Sequence, residues 1–196
     1  MKKTKEEAQK TKNIIVKGAI ELFSKVGIES CTLQQIANEV GCTRGAIYWH
    51  FKNKEELISF LIDEYKTREA RKFEELSSRS DSNVELLIQY GVWSLEKEHQ
   101  DPLGAKVEKI LSHNIQSLLK IGVNYNVDED ILFIASTVEK AIKSNEMKTD
   151  LNSQDISYMY LSYIYGMSLM AYSEDKEKYC EKYDNYLRTF FKNFCN

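Results

Sequence analysis

The first fifty residues carry apolar side chains at the spacing of short amphipathic helices. One stripe predicts a helix over Lys12–Val26, and it consists of Ile14, Ile15, Ala19, Leu22, Phe23 and Val26. Thr32 stands as the N-cap of a second helix, which ends at Gly41 after about two turns. The apolar positions of that helix are Leu33, Ile36, Ala37 and Val40. Thr43 stands as the N-cap of a third helix, which runs to His50.

The rest of the chain has the pattern of longer helices. One begins near Lys54 and runs to about Leu76, and the polar stretch 77–83 (SSRSDSN) after it indicates a linker. Further helices are predicted at about 84–99, 102–120, 128–146, 154–174 and 178–194. The single proline and eight glycines are fewer than a β-rich fold uses in its turns. We therefore expect an all-α protein of about nine helices.

Charge is distributed unevenly along the chain. Residues 1–55 hold ten Lys and Arg against six Asp and Glu, whereas residues 56–196 hold seventeen against twenty-four. A basic N-terminal segment (the head) before an acidic remainder (the body) favours a module that binds a polyanion. The acidic domain attached to it would be repelled by the same polyanion. The competing interpretation is that a small segment acquires a few charges by chance.

Cysteine usage and apolar runs indicate an intracellular protein without a metal or cofactor. The four cysteines form no C-x-x-C pair, and no histidine cluster accompanies them: Cys31, Cys42, Cys180 and Cys195. No run reaches the roughly 20 apolar residues that cross a bilayer, so we expect no membrane span. The basic N-terminus MKKTKEEAQK has no apolar segment behind it, so we expect no signal peptide and a cytoplasmic location.

The third short helix has an unusual outer face. Ala46, Ile47 and Phe51 define its inner side, which can pack onto Phe23, Ile36 and Ala37. The residues that then point largely outward are Arg44, Gly45, Tyr48, Trp49 and His50. Such a surface gains nothing for solubility, which favours contact with another molecule. The alternative, that the aromatic residues are core, suits Phe51. It does not suit Tyr48 and Trp49, because Ile47 and Phe51 already define the buried side and adjacent residues cannot share it.

These residue types suit the recognition helix of a helix-turn-helix, whose N-terminal part contacts base edges in the major groove. Arg44 can bind a guanine in bidentate fashion, and Gly45 lets the backbone approach closely. Tyr48 and His50 can donate to phosphates, while Trp49 can lie against a sugar or a thymine methyl group. Thr32, Thr43 and Lys54 begin their helices, where phosphates bind readily, although the threonines could be caps and nothing more.

Residues Thr32–Lys54, TLQQIANEVGCTRGAIYWHFKNK, resemble the helix-turn-helix of the TetR family. The string TRGAIYWHFKNK is especially similar to the multidrug-efflux repressors of the AcrR branch, and the likeness extends back through IIVKGAIELFSKVGIESCTL. The resemblance implies a bacterial homodimer that binds palindromic double-stranded operator DNA and is released by a small molecule. It implies DNA contacts at Thr32, Arg44, Gly45, Tyr48, Trp49, His50 and Lys54. Cys42 departs from the valine frequent in this turn, a harmless small apolar exchange.

The two last helices suggest the dimer interface. Residues Asp155–Tyr172 are apolar almost all round, and a helix of that kind must be covered on both sides. The helix at 178–194 carries six aromatic residues and Leu187, more apolar surface than its own subunit readily covers. A four-helix bundle about a two-fold axis, built from 154–174 and 178–194 of two chains, would cover both. The alternative is that both are core helices of a monomer.

The effector site is expected between the long helix and the helices at 84–146. Candidate lining residues are Tyr65, Trp93, Glu96, His113, Phe133, Glu139, Tyr163 and Met167. Aromatic and methionine side chains suit an apolar or aromatic effector, and a buried carboxylate such as Glu139 would favour a cation. For each of these residues, plain core packing or a solvated face is the competing interpretation.

We therefore expect two domains: a helix-turn-helix DNA-binding domain over 1–54 and a helical ligand-binding and dimerisation domain over 55–196. The sequence favours a repressor, with a ligand-dependent activator as the alternative. An enzyme is disfavoured because the three histidines lie on separate helices and no phosphate loop or nucleophile elbow is present. A helical adaptor that binds protein through Tyr48 and Trp49 would show little dependence on salt, whereas phosphate binding weakens steeply as salt rises.

Overall fold

The computed structural model describes residues 4–123, 127–170 and 182–195, apart from the side chains of 98, 99 and 127. Every regular element within these ranges is a helix, which confirms the all-α prediction. The chain divides into two compact units: residues 1–68 with 103–125, and residues 69–102 with 126–196. The first compact unit extends beyond residue 54, where the DNA-binding domain was predicted to end. A compact unit and a DNA-binding domain are different divisions of the chain, so that boundary stays a prediction.

The first unit begins with α1 (Lys5–Val26), α2 (Leu33–Glu39) and α3 (Arg44–His50), and it contains the start of α4 (Lys54–Ser77). The helix α1 starts two turns earlier than the apolar stripe predicts. A capping box explains the extension, because Thr4 accepts from the backbone of Glu7 while the Glu7 side chain accepts from the backbone of Thr4. The boundaries of α2, α3 and α4 agree with the prediction to within about a residue.

The remainder of the first unit comes from α7 (Pro102–His113) and α8 (Ile115–Lys120), which the sequence predicted as one helix. The break lies at Asn114, whose side-chain amide donates to the carbonyl of Ile110 at 2.7 Å. Five apolar residues from this region join the core formed by the first four helices: Val107, Ile110, Leu111, Leu118 and Val123. The core of the helix-turn-helix is thus completed by a segment that follows it in sequence by more than fifty residues.

The second unit contains the end of α4, then α5 (Asn83–Leu95), α6 (Lys97–Gln100), α9 (Val127–Lys143), α10 (Ser153–Met170) and α11 (Tyr183–Lys192). The predicted helix 84–99 is broken at Glu96, whose backbone departs from helical geometry. Ser82 caps α5 by accepting from the backbone of Glu85 at 3.0 Å. Glu146 adds to this cap by accepting from the backbone of Val84 at 3.0 Å and from the Asn83 amide at 2.6 Å. The predicted ends 171–174 and 178–181 of the last two helices lie outside the described residues.

Helices α5, α10 and α11 pack closely around Gly91. A Cβ atom at this position would lie 2.8 Å from Leu187 Cδ1 and 2.9 Å from the hydroxyl of Tyr160. That hydroxyl is fully buried and donates to the carbonyl of Leu87 at 2.5 Å. Because Gly91 has no side chain, Leu187 of α11 and Tyr160 of α10 can pack directly against the backbone of α5. No helix in the described part of the chain is long and apolar enough to cross a membrane.

Candidate nucleic-acid interface

Local hydrogen bonds fix the two helices of the motif and the turn between them. Thr32 accepts from the backbone of Gln35 at 3.2 Å, and the Gln35 side chain accepts from the backbone of Thr32 at 2.8 Å, which makes a capping box. Thr43 caps α3 by accepting from the backbone of Ala46 at 3.1 Å. Gly41 supplies the left-handed backbone of the turn, with φ of 66°. The predicted N-caps Thr32 and Thr43 are therefore confirmed as caps.

The face of α3 divides as the sequence predicted. Ile47 and Phe51 are buried, Ala46 is half-buried, and Tyr48 and Trp49 are 42% and 72% exposed. The remaining members of the predicted outer face are Arg44 and Gly45, both exposed, and His50, which is half-buried. Ile47 is the one fully buried side chain of α3 and anchors the helix, while Arg44, Tyr48 and Trp49 face solvent.

The outer groups of α3 also contact each other. The Arg44 guanidinium lies 5.4 Å from the centre of the Tyr48 ring, and the Trp49 and His50 rings meet edge to face at 4.6 Å. A Cβ atom added to Gly45 would meet nothing within 4 Å, so its surface is open to close approach. This face can therefore offer a fork of N–H donors and flat aromatic surface to a ligand.

Lys54 is arranged differently from the residues of α3. Its ammonium group donates to the carbonyls of Ile28, Cys31 and Glu29, at 2.8, 2.9 and 3.3 Å. All three carbonyls belong to the loop between α1 and α2. The start of α4 is instead capped by Asn53, whose side chain accepts from the backbone of Glu56 at 2.8 Å. The Lys54 side chain is therefore engaged within the first unit.

Two carboxylates of the first unit, Glu21 and Glu29, are paired with neighbouring donors. The hydrogen bond from Ser117 and the ammonium of Lys120 hold the pKa of Glu29 below its usual range. The Lys106 ammonium, which hydrogen-bonds to Glu21, lowers the pKa of that carboxyl in the same way. Burial raises the pKa of the Cys31 thiol. Glu21 and Glu29 are thus paired, which reduces their repulsion of a polyanion.

The eight predicted effector residues fall in both units. Tyr65 belongs to the core of the first unit, and His113 is exposed there, with its Nδ1 atom 2.9 Å from the carbonyl of Lys109. In the second unit Trp93 is buried and Glu96 is half-buried. Phe133 is 38% exposed and packs edge to face on Phe73 at 4.7 Å.

The other three predicted effector residues lie on α9 and α10. Glu139 is exposed rather than buried, and its ion pair with Lys143 at 2.7 Å lowers the pKa of its carboxyl. The expectation of a buried carboxylate at this position is therefore wrong. Tyr163 is 36% exposed and stacks on Phe190 of α11 at 5.4 Å, and Met167 is half-buried.

A polar cluster inside the second unit escaped the sequence analysis. The Lys97 ammonium lies 3.0 Å from the Glu69 carboxylate, and these side chains are only 3% and 15% exposed. Tyr90 donates to the other oxygen of Glu69 at 2.8 Å, and Lys97 lies over the ring of Trp93 at 4.8 Å. Tyr90, Trp93 and Lys97 follow one another at helical spacing, and that was the only signal in the sequence.

Unpaired apolar surface in the second unit lies on α10. Ile156, Tyr160 and Ile164 are buried, whereas the opposite side of α10 exposes a stripe formed by Tyr158, Met159, Tyr165, Leu169 and Met170. In α11, by contrast, Tyr183, Leu187 and Phe191 are buried and Tyr186 and Phe190 are half-buried, as is Phe194 just after the helix ends. Within the described residues, the apolar excess expected of both helices is therefore found on α10 alone.

No group of three or more His, Cys, Asp or Glu side chains in the described ranges is arranged to hold a metal ion. The sites so far described depend on hydrogen-bond donors, aromatic surface and ion pairs.

Comparison with known proteins identifies the helix-turn-helix. Residues 15–59 match the pattern of the bacterial regulatory proteins, tetR family. The HTH-type transcriptional regulator AcrR of Shigella flexneri is 39% identical over 117 residues, which cover 59% of this chain and 45% of that protein. The chain therefore spans less than half the length of this relative.

Two solved structures share the fold over nearly the whole chain. NalD, the secondary repressor of the MexAB-OprM multidrug efflux pump in Pseudomonas aeruginosa, superimposes with a TM-score of 0.75 at 21% identity, over 98% of this chain and 99% of NalD. A complex of SmeT with triclosan gives a TM-score of 0.77 at 19% identity, over 95% of this chain and 92% of SmeT. From α1 to the start of α4, sequence pattern, capping and exposed surface all agree, and residues 15–59 carry the helix-turn-helix of the bacterial regulatory proteins of the tetR family.

Proposed function

We propose that this protein is a ligand-responsive transcriptional regulator that binds operator DNA as a homodimer. The observation that carries the proposal is the outer face of α3, which exposes Trp49, Tyr48 and Arg44 while Ile47 holds the helix to its core. An exposed tryptophan and tyrosine at the end of a short helix are costly for solubility unless another molecule covers them. A regulator of this kind acts in the cytoplasm.

The base-reading role falls to Arg44, at the N-terminus of α3. Its guanidinium can bind the O6 and N7 atoms of a guanine, a contact worth about 1–3 kcal/mol of discrimination. Gly45 adds no side chain beside it, so the backbone can approach the groove. Tyr48 and His50 can donate to phosphates, and Trp49 can lie on a sugar or a thymine methyl group. Thr32 and Thr43, at the N-termini of their helices, can bind phosphates in addition to capping.

The homodimer is supported by the exposed stripe on α10. Tyr158, Tyr165 and Leu169 recur at i, i+7 and i+11, so they share one side of the helix. A second copy related by a two-fold axis would bury the same stripe on both chains. Two heads so related match a palindromic operator, whose half-sites lie about 34–36 Å apart or a multiple of it. The last helix, near 178–194, is proposed to take part in this interface beside 154–174 through Phe190, which stacks on Tyr163 of α10.

The effector is proposed to be a small apolar or aromatic molecule bound in the second unit. Trp93, Phe133, Tyr163 and Met167 supply the aromatic and thioether surface that such a molecule prefers. Glu96 is half-buried and can accept a hydrogen bond from it. Tyr65, His113 and Glu139 have weaker support, because the first is core and the other two are exposed. The triclosan bound by SmeT, an organic small molecule, is consistent with this class.

Repression relieved by the effector is the proposed mode of action. NalD is a repressor of a multidrug efflux pump, which supports repression and makes an efflux pump the proposed target. The effector can weaken operator binding only by preferring a conformation in which the two heads no longer match the half-sites. If the preferred conformation were instead the DNA-binding one, the same fold would act as an activator. No step in this scheme is enzymatic.

The test is binding of the purified protein to DNA from upstream of its own gene, measured by fluorescence anisotropy at two salt concentrations. Arg44→Ala should reduce specific binding at least about tenfold, since it removes the contact to a base. Tyr48→Phe should weaken binding less, because only one phosphate donor is lost. Arg79→Ala, a change to an exposed arginine paired with Glu75, is the matched control and should bind normally.

Two results would count against the proposal. Binding that ignores both Arg44 and DNA sequence would mean that α3 does not read this DNA, and binding that ignores salt would point to the protein-binding adaptor. Once an operator is known, apolar aromatic compounds are titrated into the complex. Release of DNA supports the repressor, whereas tighter binding supports the activator.

A further inference from the structure

The Glu69–Lys97 pair of the second unit places two opposite charges away from water. Lys97 is 2% exposed and is the one charged side chain among the described residues that is buried. The Glu69 carboxylate that faces it is 15% exposed, and the Tyr90 hydroxyl donates to the same carboxylate. Lys97 also lies over the ring of Trp93. Side chains from α4, α5 and α6 thus converge on one point, and we call these four residues the buried cluster.

Stability of the fold does not explain why this pair is charged. Moving an ammonium and a carboxylate out of water is costly, and their attraction offsets that cost only with good geometry and further hydrogen bonds. Apolar side chains of similar volume in place of both groups usually leave a protein as stable or more stable. The exposed pair Glu75–Arg79 of the same unit avoids this cost. A charged pair in this interior therefore favours a role in binding that an apolar core could not fill.

A row of aromatic rings leads from the surface of the second unit to the buried cluster. Phe133 of α9 is 38% exposed and meets Phe73 edge to face at 4.7 Å. Phe73 meets Tyr90 at 5.1 Å, and Tyr90 meets Trp93 at 5.7 Å. Each ring contact contributes little free energy by itself, so the ring of a ligand can replace one of them. A flat aromatic molecule that enters beside Phe133 can therefore keep aromatic contacts along the row.

The charges of the buried cluster restrict what the inner end of such a ligand can carry. Glu69 and Lys97 balance each other, so a charged ligand would bring an uncompensated charge into a site with little water. A hydroxyl group is neutral, and it can donate to the carboxylate while it accepts from the ammonium. Tyr90 shows that a phenol fits this chemistry, because its own hydroxyl donates to Glu69 at 2.8 Å.

We infer that Glu69 and Lys97 bind the hydroxyl group of the effector, which is a neutral hydroxylated aromatic compound. Its ring lies in the aromatic row between Phe133 and Trp93. The inference deepens the proposed function and rests on it for the role of the compound as effector, whereas binding of the compound is measured without DNA. A ring without the hydroxyl gains the aromatic contacts alone, and a charged analogue must also lose its water.

Isothermal titration calorimetry on the purified protein, without DNA, tests the inference with three probes of one ring size. They are naphthol, its methyl ether, which lacks the donor, and naphthoate, which is negatively charged at pH 7. Naphthol should bind at least about tenfold more tightly than the other two, because a site built around a hydroxyl discriminates against analogues that lack it. Equal binding of the methyl ether would overturn the inference, as would tightest binding of naphthoate or binding of none of the probes.

A double variant shows whether the pair itself makes this distinction. Glu69→Gln with Lys97→Met removes both charges and keeps an acceptor for the Tyr90 hydroxyl, and circular dichroism should show an unchanged helix content. The preference for naphthol over its methyl ether should fall to less than about threefold in this variant. The matched control is Glu75→Gln with Arg79→Met, which removes an exposed pair at the end of α4 and should keep the full preference. A full preference in both double variants would overturn the inference.

Tyr90→Phe gives a result that damage to the fold cannot imitate. The change keeps the ring and removes the hydroxyl that donates to Glu69, so a ligand hydroxyl meets less competition and replaces a lost hydrogen bond. Naphthol should therefore bind to Tyr90→Phe more tightly than to the unchanged protein, by about threefold or more, while its methyl ether binds as before. Unchanged or weaker binding of naphthol would contradict a hydroxyl contact at Glu69.

Release of operator DNA separates this site from the proposed function. The operator is selected with the unchanged protein from a library of random duplexes, and naphthol is titrated into the complex. Naphthol should release DNA from the unchanged protein and from the exposed-pair control, but not from the variant at Glu69 and Lys97. If naphthol binds through the pair and the DNA stays bound, the proposed function fails and the site stands. Equal release from the variant at Glu69 and Lys97 would overturn the inference and leave the proposed function intact.

Discussion

The two units of this protein treat polar groups in opposite ways. The core cluster of the first unit is entirely apolar apart from the hydroxyl of Tyr65 and the thiol of Cys31, and its charges lie at or near the surface. All three buried polar or charged side chains among the described residues lie in the second unit: Lys97, Thr137 and Ser157. An apolar core holds a rigid display of outer groups, whereas a buried ion pair ties its helices together by direction and charge. The core of the first unit thus supports an exposed binding surface. In the second unit, the packing of the helices depends on the buried ion pair.

The largest expected effect comes from breaking the buried pair. Lys97→Met should lower the free energy of unfolding by about 3–5 kcal/mol, because it leaves the Glu69 carboxylate buried without its cation. Lys97→Met combined with Glu69→Gln should recover much of that loss, since the glutamine is neutral and still accepts from Tyr90. Urea unfolding followed by circular dichroism measures both variants.

The control for the buried pair is an exposed one in the same unit. Lys143→Met breaks the Glu139–Lys143 pair on α9, where solvent screens both charges, and should leave the urea midpoint unchanged. An equal loss in Lys143→Met and Lys97→Met would show that burial does not distinguish the pairs. The comparison between the two units would then lose its basis.

Local signals made the first unit predictable. The Thr32 capping box, the Thr43 cap and the apolar face of α3 each depend on residues within about four positions, and the structure has all three. The Thr4 capping box is equally local, but it lies before the apolar stripe from which the start of α1 is predicted. The breaks at Glu96 and Asn114 are changes at single residues, which leave helical periodicity on both sides intact.

The second unit depends on pairings that no local pattern specifies. Glu69 meets Lys97, and Glu85 meets Arg188, only because the helices that carry them pack together. The carbonyl partners of Lys54 are likewise backbone groups, and the sequence does not show which ones a lysine will meet. Exposure of Glu139 was mispredicted for the same reason, because its burial depends on which face of α9 turns inward.

Two glycines of the first unit offer a second, intermediate test. A Cβ atom added to Gly18 of α1 would overlap Cγ1 of Val40, a short and stiff side chain. Gly18→Ala should therefore lower the free energy of unfolding by about 1–3 kcal/mol, through overpacking. Gly45→Ala, which meets nothing, should raise it by up to about 1 kcal/mol and still weaken operator binding. Thermal unfolding and fluorescence anisotropy together measure these outcomes.

The overpacking argument has its own check in Val40→Ala. Combined with Gly18→Ala, it removes the overlapping methyl group and should restore part of the lost stability, so that the effects of the two changes are not additive. If the losses simply add, then Gly18 matters for a reason other than its contact with Val40. If Gly45→Ala binds operator normally, close approach of the α3 backbone to DNA is contradicted.

The smallest effect is expected at the surface pair that joins α5 to α11. Arg188 donates to both oxygens of Glu85, at 2.8 and 2.9 Å, and this hydrogen bonding lowers the pKa of Glu85 in the folded protein. A carboxyl whose pKa is lower when folded adds stability above its unfolded pKa of about 4.3, and the gain disappears as the pH falls through the folded value. Glu85→Gln should therefore be less stable than the unchanged protein at pH 7, by less than about 1 kcal/mol because Arg188 is half exposed, and the difference should shrink towards pH 3. Urea unfolding at pH 7 and at pH 3 measures the difference in unfolding free energy between the two proteins. If that difference is the same at both pH values, the pair acts through packing alone. Charge would then stabilise the second unit only where it is buried.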